Sequence, residues 1–229
     1  MKFNNIKAVF IDIDNTLLDF NKSAKQSIEK SFSQHNLPFS DNVFEIFLKT
    51  NKGLWQRIER GEYTREQLHK ERWNMILRQL GLDYDGVKIE QAFLDNLYTC
   101  AILIDGGLEI VRYLSKRYYL VSASNAPHDQ QLNRLEISGI KPYLRNIFTS
   151  ESLKADKPNK EFFDKCFGFL PNILPSECVF IGDSLTADIA GGKNYGMKTI
   201  WYNHNKEGLP QEKIYDFTIN SLKEIENIL

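Results

Sequence analysis

Asp12 and Asp14 stand one residue apart at the end of the apolar run Ala8-Val9-Phe10-Ile11, and Asn15-Thr16 follow at once. Two carboxylates so close repel each other unless positive charge lies between them. A divalent cation with oxygen ligands answers that need, and magnesium typically takes one or two protein carboxylates together with substrate phosphate oxygens. Further along come Ser124-Asn125, Lys157-Pro158 and Gly182-Asp183-Ser184, with Asp188 five residues beyond Asp183. Carboxylates to cradle a metal, a hydroxyl to donate and a lysine cation are what a phosphoryl group and its metal need. Each has a plainer account on its own. Asp14-Asn15-Thr16 and Asp183 could simply turn the chain, Ser124 could belong to a turn, and Lys157 could be a solvated lysine. The case for chemistry rests on whether the fold brings them together.

The pattern of elements says that it does. Ile6–Ile11 reads as a strand buried on both faces, because Ala8–Ile11 is a continuous apolar run. Tyr118–Ala123, Asn146–Thr149, Cys178–Ile181, Lys198–Tyr202 and Phe217–Ile219 read as further short strands. Between them, Leu108–Leu114, Pro127–Ile137, Lys160–Phe169 and Ala187–Tyr195 read as helices, with a last one after Ile219. This alternation predicts a parallel sheet with helices on both faces, whose strands end on one rim where ligands bind. Asp12 and Asp14 follow the first strand, Ser124 and Asn125 the second, Lys157 the third and Asp183 the fourth.

After Leu18 the rhythm changes, and no strand is expected for about eighty residues. Helices are expected from Asn21 or Ser23 to before Leu37-Pro38, from Ser40 to Gly61, from Thr64 to Gly81, and from about Val87 to Tyr98. Thr64-Arg65-Glu66-Gln67 has the capping-box form, and Gly61 and Gly81 suit helix ends. The α/β class therefore divides into a Rossmann-like core (1–17 and 101–229) and an inserted four-helix unit (18–100). Trp55, Tyr63 and Trp73 in that insertion are candidates for stacking on a base, against the plainer account of core packing.

Lys and Arg number 29 and Asp and Glu 30, for a net charge of −1. That balance excludes a nucleic-acid polymer or an anionic membrane as the evident partner. The three cysteines are single and have no metal-ligand or disulfide spacing, as expected of thiols in a reducing cytosol. No tripartite leader opens the chain, and no apolar run reaches the ~20 residues of a membrane span. A cytoplasmic location is expected.

Asp12-Ile13-Asp14-Asn15-Thr16, Ser124 at a strand end, Lys157-Pro158 and Gly182-Asp183-Ser184-Leu185-Thr186-Ala187-Asp188 occur in the order of the four motifs of the haloacid dehalogenase superfamily. Over nearly its full length the chain resembles a phosphohydrolase of that superfamily, with the four-helix insertion in the place of the family's helical cap. Asn51-Lys52-Gly53-Leu54-Trp55 and Asp188-Ile189-Ala190-Gly191-Gly192-Lys193-Asn194 are similar to the bacterial pyrimidine-type 5′-nucleotidase branch. One departure is Ser124-Asn125-Ala126, where that branch commonly has Thr-Asn-Gly.

The resemblance implies a magnesium-dependent phosphomonoesterase. Asp12 would be the nucleophile that forms an aspartyl-phosphate, and Asp14 the general acid and base. Asp12 and Asp183 would ligate the metal by carboxylate and Asp14 by its backbone carbonyl. Ser124, the Asn125 amide and Lys157 would receive the phosphate oxygens, with Thr16 and Asp188 in support. Asp188 would either complete the metal site through water or hold Lys157. Nucleoside 5′-monophosphates are the expected substrates. A sugar phosphate or other small metabolite, a mutase, and a phosphate-binding module without turnover are the alternatives. Asp14 argues against carbon–halogen chemistry, which needs no acid there. The segment Phe20-Asn21-Lys22 is expected to be the hinge into a cap that excludes water and selects the leaving group.

Overall fold

The structure is a computed structural model, and it describes residues 2–229. By contacts the chain divides into two compact units. The chain up to Asp19 joins Ala101–Leu229 in one, and Phe20–Cys100 forms the other.

The first unit is built on six parallel strands, β1 (Ala8–Ile11), β2 (Tyr119–Ser124), β3 (Asn146–Thr149), β4 (Cys178–Gly182), β5 (Lys198–Tyr202) and β6 (Phe217–Ile219). Their order across the sheet is β3-β2-β1-β4-β5-β6. All four residues of β1 are buried because both faces of the strand are covered. Val9 and Ile11 face a layer holding Ile110, Val111 and Leu114 of helix α5 (Gly107–Ser115), while Ala8 and Phe10 face Phe162, Phe163 and Cys166. The chain leaves β1 towards one edge through β2 and β3 and returns to pair β4 on the other side of β1. At such a reversal the crossover loops part, and a crevice opens at the carboxyl ends of the two strands. Here those strands are β1 and β4, so the topology aims Asp12, Asp14 and Asp183 at one place.

The second unit holds α1 (Phe20–Gln34), α2 (Asp41–Glu59), α3 (Arg65–Leu80) and α4 (Gly86–Tyr98). The Thr64 hydroxyl accepts from Gln67 N–H at 3.1 Å and the Gln67 amide takes Thr64 N–H at 2.9 Å, so the capping box forms. Gly81 ends α3 at φ +68°, a conformation that costs glycine little. Trp73 packs on Phe32, Phe47 and Phe93 and is 1% exposed, which takes it out of contention as a base-stacking residue. Tyr63 is buried beside Leu54 and Leu68, and Trp55 is half-buried against them.

Three local features differ from the periodicity, one of them the last helix, which is a 3₁₀ stretch over Leu222–Asn227. The expected helix over 187–195 is a π-helical turn, Leu185–Ala190, followed by one α-turn, Gly191–Asn194. The cause is local: Ser184 caps Ala187 N–H with its hydroxyl while its carbonyl takes both Asp188 and Ile189 N–H, which widens the turn. A single helical turn, Ser150–Leu153, also follows β3, capped by Thr149, and it is too short to show a period.

Candidate active site

β1 ends in a tight turn. Asn15 sits at φ +59°, a region that asparagine tolerates, and its N–H bonds the Leu18 carbonyl at 2.7 Å. This presents Asp12 and Asp14 in succession from one strand end. Asp12 is held at both oxygens: Lys157 Nζ donates to Oδ1 at 2.8 Å and Thr16 Oγ1 to Oδ2 at 3.2 Å. Lys157 is 2% exposed and also donates to the Ala123 carbonyl at 2.6 Å and to Asp188 Oδ1 at 2.7 Å. Each of its three ammonium hydrogens therefore has an acceptor. The lysine's own backbone is fixed by Asn125, whose side chain accepts from Lys157 N–H and donates to its carbonyl, both at 2.9 Å.

Asp188 reaches this cluster because of the wide turn at Leu185–Ala190 and because residue 182 is glycine. A Cβ on Gly182 would lie 2.2 Å from Asp188 Oδ2. Both oxygens of Asp188 are engaged, Oδ1 by Lys157 and Oδ2 by Ser184 N–H at 3.0 Å. Asp183 differs. Its backbone carbonyl accepts from Trp201 Nε1 at 2.9 Å, but among the described residues its carboxylate takes no hydrogen bond from the protein.

Carboxylate oxygens of Asp12, Asp183 and Asp188 lie within 4.8 Å of one another. One lysine faces three carboxylates. Burial pushes the Asp12 carboxyl up to about 7, with the neighbouring Asp188 and Asp14 charges adding to it and Lys157 opposing. Burial, then the Asp12 and Asp188 charges, holds Asp183 well above the usual carboxylate range. Burial alone would lower Lys157, but the Asp12 and Asp188 carboxylates outweigh it and hold the ammonium above its ordinary value. An all-oxygen set with surplus negative charge, and an Asp183 carboxylate without a protein donor, suits a hard divalent cation such as magnesium.

Asp14 is engaged by two residues that sequence reasoning missed. On α6 (His128–Ile137), Arg134 Nη1 bonds Asp14 Oδ1 at 2.6 Å and Gln131 Nε2 bonds Asp14 Oδ2 at 2.7 Å. Gln131 Nε2 also donates to Ser124 Oγ at 2.9 Å, and that hydroxyl accepts from Ala126 N–H at 3.1 Å. The available signal was the i, i+3 spacing of Gln131 and Arg134, which places two long polar side chains on one helix face just after Ser124-Asn125.

The model of the haloacid dehalogenase-like hydrolases matches residues 6–196. The chain belongs to that family. It is an enzyme of the hydrolase class, with named phosphatases and nucleotidases among its relatives. The HAD-hydrolase YfnB of Bacillus subtilis is 32% identical over 97% of this chain and 95% of its own. The pyrimidine 5′-nucleotidase PynA of Streptococcus pneumoniae is 29% identical over 92% of each chain. The pyrimidine 5′-nucleotidase YjjG of Escherichia coli is 26% identical over 96% of each. A crystal structure of YfnB bound to magnesium superposes with a TM-score of 0.93 over 98% of both chains, at 31% identity. Among the described residues no helix is long and apolar enough to cross a membrane.

Proposed function

We propose that the enzyme hydrolyses phosphomonoesters in two displacements at Asp12, with magnesium bound, and that nucleoside 5′-monophosphates are its preferred substrates. The observation that carries the chemistry is the Asp12 carboxylate, fixed at both oxygens by Lys157 and Thr16 within a carboxylate cluster that one lysine does not neutralise. Asp12 attacks phosphorus and the bond to the leaving oxygen breaks, leaving the phosphoryl group on the aspartate. Asp14 protonates the departing oxygen. It then takes a proton from the water that displaces inorganic phosphate and restores the Asp12 carboxylate.

Asp12 and Asp183 would hold the cation, together with the Asp14 backbone carbonyl that the family pattern uses. Bound there, the cation neutralises charge on the phosphoryl oxygens. Of the two parts open to Asp188, its filled hydrogen bonds favour holding Lys157. Ser124 accepts two hydrogen bonds, which leaves its own hydrogen to give to a phosphate oxygen. Asn125 supports Lys157 through its side chain and would offer its backbone amide to phosphate. The named activities of PynA and YjjG support nucleotides as the substrate class, and the helical unit is assigned the choice of leaving group.

The test is phosphate release from nucleoside monophosphates and sugar phosphates, with magnesium or chelator, for wild type and Asp12→Asn. Metal-dependent release, lost in the variant and fastest on nucleotides, is the expected result. Faster turnover of sugar phosphates would move the substrate class and keep the chemistry. A folded, magnesium-loaded protein that releases phosphate from no ester would overturn both.

A further inference from the structure

Neither α6 residue that engages Asp14 belongs to a motif of the superfamily resemblance. We infer that Gln131 and Arg134 are positioning residues for the proton-transfer step, and that Gln131 ties the aim of Asp14 to the phosphate-binding hydroxyl of Ser124. The inference rests on the phosphomonoesterase reading.

The geometry is a closed ring. Arg134 Nη1 bonds both Asp14 Oδ1, at 2.6 Å, and Gln131 Oε1, at 3.2 Å. Gln131 Nε2 returns to Asp14 Oδ2 at 2.7 Å. The orientation of the glutamine amide follows from its partners. Its oxygen faces a guanidinium that can only donate and its nitrogen faces a carboxylate, so a flipped amide would set donor against donor. Both hydrogens of Nε2 are used, one on Asp14 and one on Ser124. Arg134 and Gln131 are each 0% exposed, so the ring is anchored in the body of the sheet unit and does not swing in solvent. A carboxylate bonded at both oxygens has no free rotation about its last bond. That sets the direction from which Asp14 meets a leaving oxygen, and a misplacement of about 1 Å can cost on the order of 10²-fold in rate. The bond from Nε2 to Ser124 gives the two functions one anchor: whatever shifts Ser124 on phosphate binding shifts the donor that holds Asp14.

The test separates proton donation from folding by the leaving group. A 4-nitrophenolate leaves without help, whereas an alkoxide needs a proton, so loss of a well-aimed acid shows on alkyl phosphates and hardly on 4-nitrophenyl phosphate. The magnesium-loaded wild type, Asp14→Asn, Gln131→Leu and Arg134→Lys are compared on both esters, with inhibition by inorganic phosphate measured in parallel. Gln131→Leu leaves no buried charge behind, and Arg134→Lys keeps the charge while losing the planar fork. Gln131→Leu should lose about 10²-fold in kcat/KM, which reports the first displacement and not the hydrolysis of the aspartyl-phosphate common to both esters, on the alkyl ester and less than about 10-fold on the nitrophenyl ester. Arg134→Lys should show the same split in smaller measure, and only Gln131→Leu should weaken phosphate inhibition. Equal losses of kcat/KM on both esters, or none, would overturn the inference. If Asp14→Asn itself shows no split while Asp12→Asn is inactive, the inference falls and the phosphatase stands. A wild type inactive on both esters removes the phosphatase reading itself.

Discussion

A buried arginine of the helical unit and a buried lysine of the sheet unit are handled in opposite ways. In the helical unit Arg72, 3% exposed, gives two hydrogen bonds to Glu90 at 3.1 and 2.6 Å and one to Asn51 at 2.8 Å. Its guanidinium also lies over the rings of Phe47 and Phe93, at 5.6 and 5.0 Å, and His69 completes the Glu90 carboxylate at 2.8 Å. One positive charge meets one negative charge, and the donors and acceptors are matched. In the sheet unit Lys157 meets the carboxylates of Asp12 and Asp188, with Asp183 close by. A balanced buried pair specifies packing. An unbalanced one is costly unless a ligand completes it, so the imbalance marks the chemistry.

Breaking each network should expose that difference. The largest effect is expected from Asp12→Asn, which should lower steady-state phosphate release by a factor on the order of 10⁴ or more, as loss of a covalent nucleophile does elsewhere. Arg72→Met should leave Glu90 buried without its partner and lower stability by about 3–5 kcal/mol, read as a shift of the denaturant midpoint. Magnesium should do for the sheet unit what Glu90 already does for Arg72. At a hundred times its Kd it should stabilise the wild type by about 2.7 kcal/mol, seen as a rise in Tm. Asp183→Asn should sharpen the contrast further: the metal-free Tm should rise, because a repelling charge is gone, and the magnesium-induced rise should disappear. A lower metal-free Tm for that variant would show that Asp183 is not under electrostatic stress. The smallest effect is a control outside both networks. Thr64→Ala removes the α3 cap and should cost about 1 kcal/mol without altering the magnesium response.

The sheet was legible because its strands are short runs rich in β-branched and aromatic residues: Asn146–Thr149, Lys198–Tyr202 and Phe217–Ile219 fall where the pattern places them. Thr64 and Gly81 bound α3 for the same reason, since their capping chemistry is local. The turn at Leu185–Ala190 was not legible as a π-turn. Its geometry is decided by Ser184 and by the room over Gly182, and neither leaves a periodicity.

The site divides along the same line. The identities of Asp12, Asp14, Ser124, Lys157 and Asp183, their order, and their placement after successive strands were set by the chain itself, because a parallel sheet sends all its strand ends to one rim. Charge balance was not, since it is a sum over groups far apart in sequence. Asp12 and Lys157, 145 residues apart, meet at 2.8 Å. Arg134 reaches Asp14 across 120 residues, and Gln131 reaches it across 117. A helix face in sequence shows which side chains point together but not what they point at. Only the packing of α6 beside the end of β1 decided that these two would grip the carboxylate assigned to move the proton.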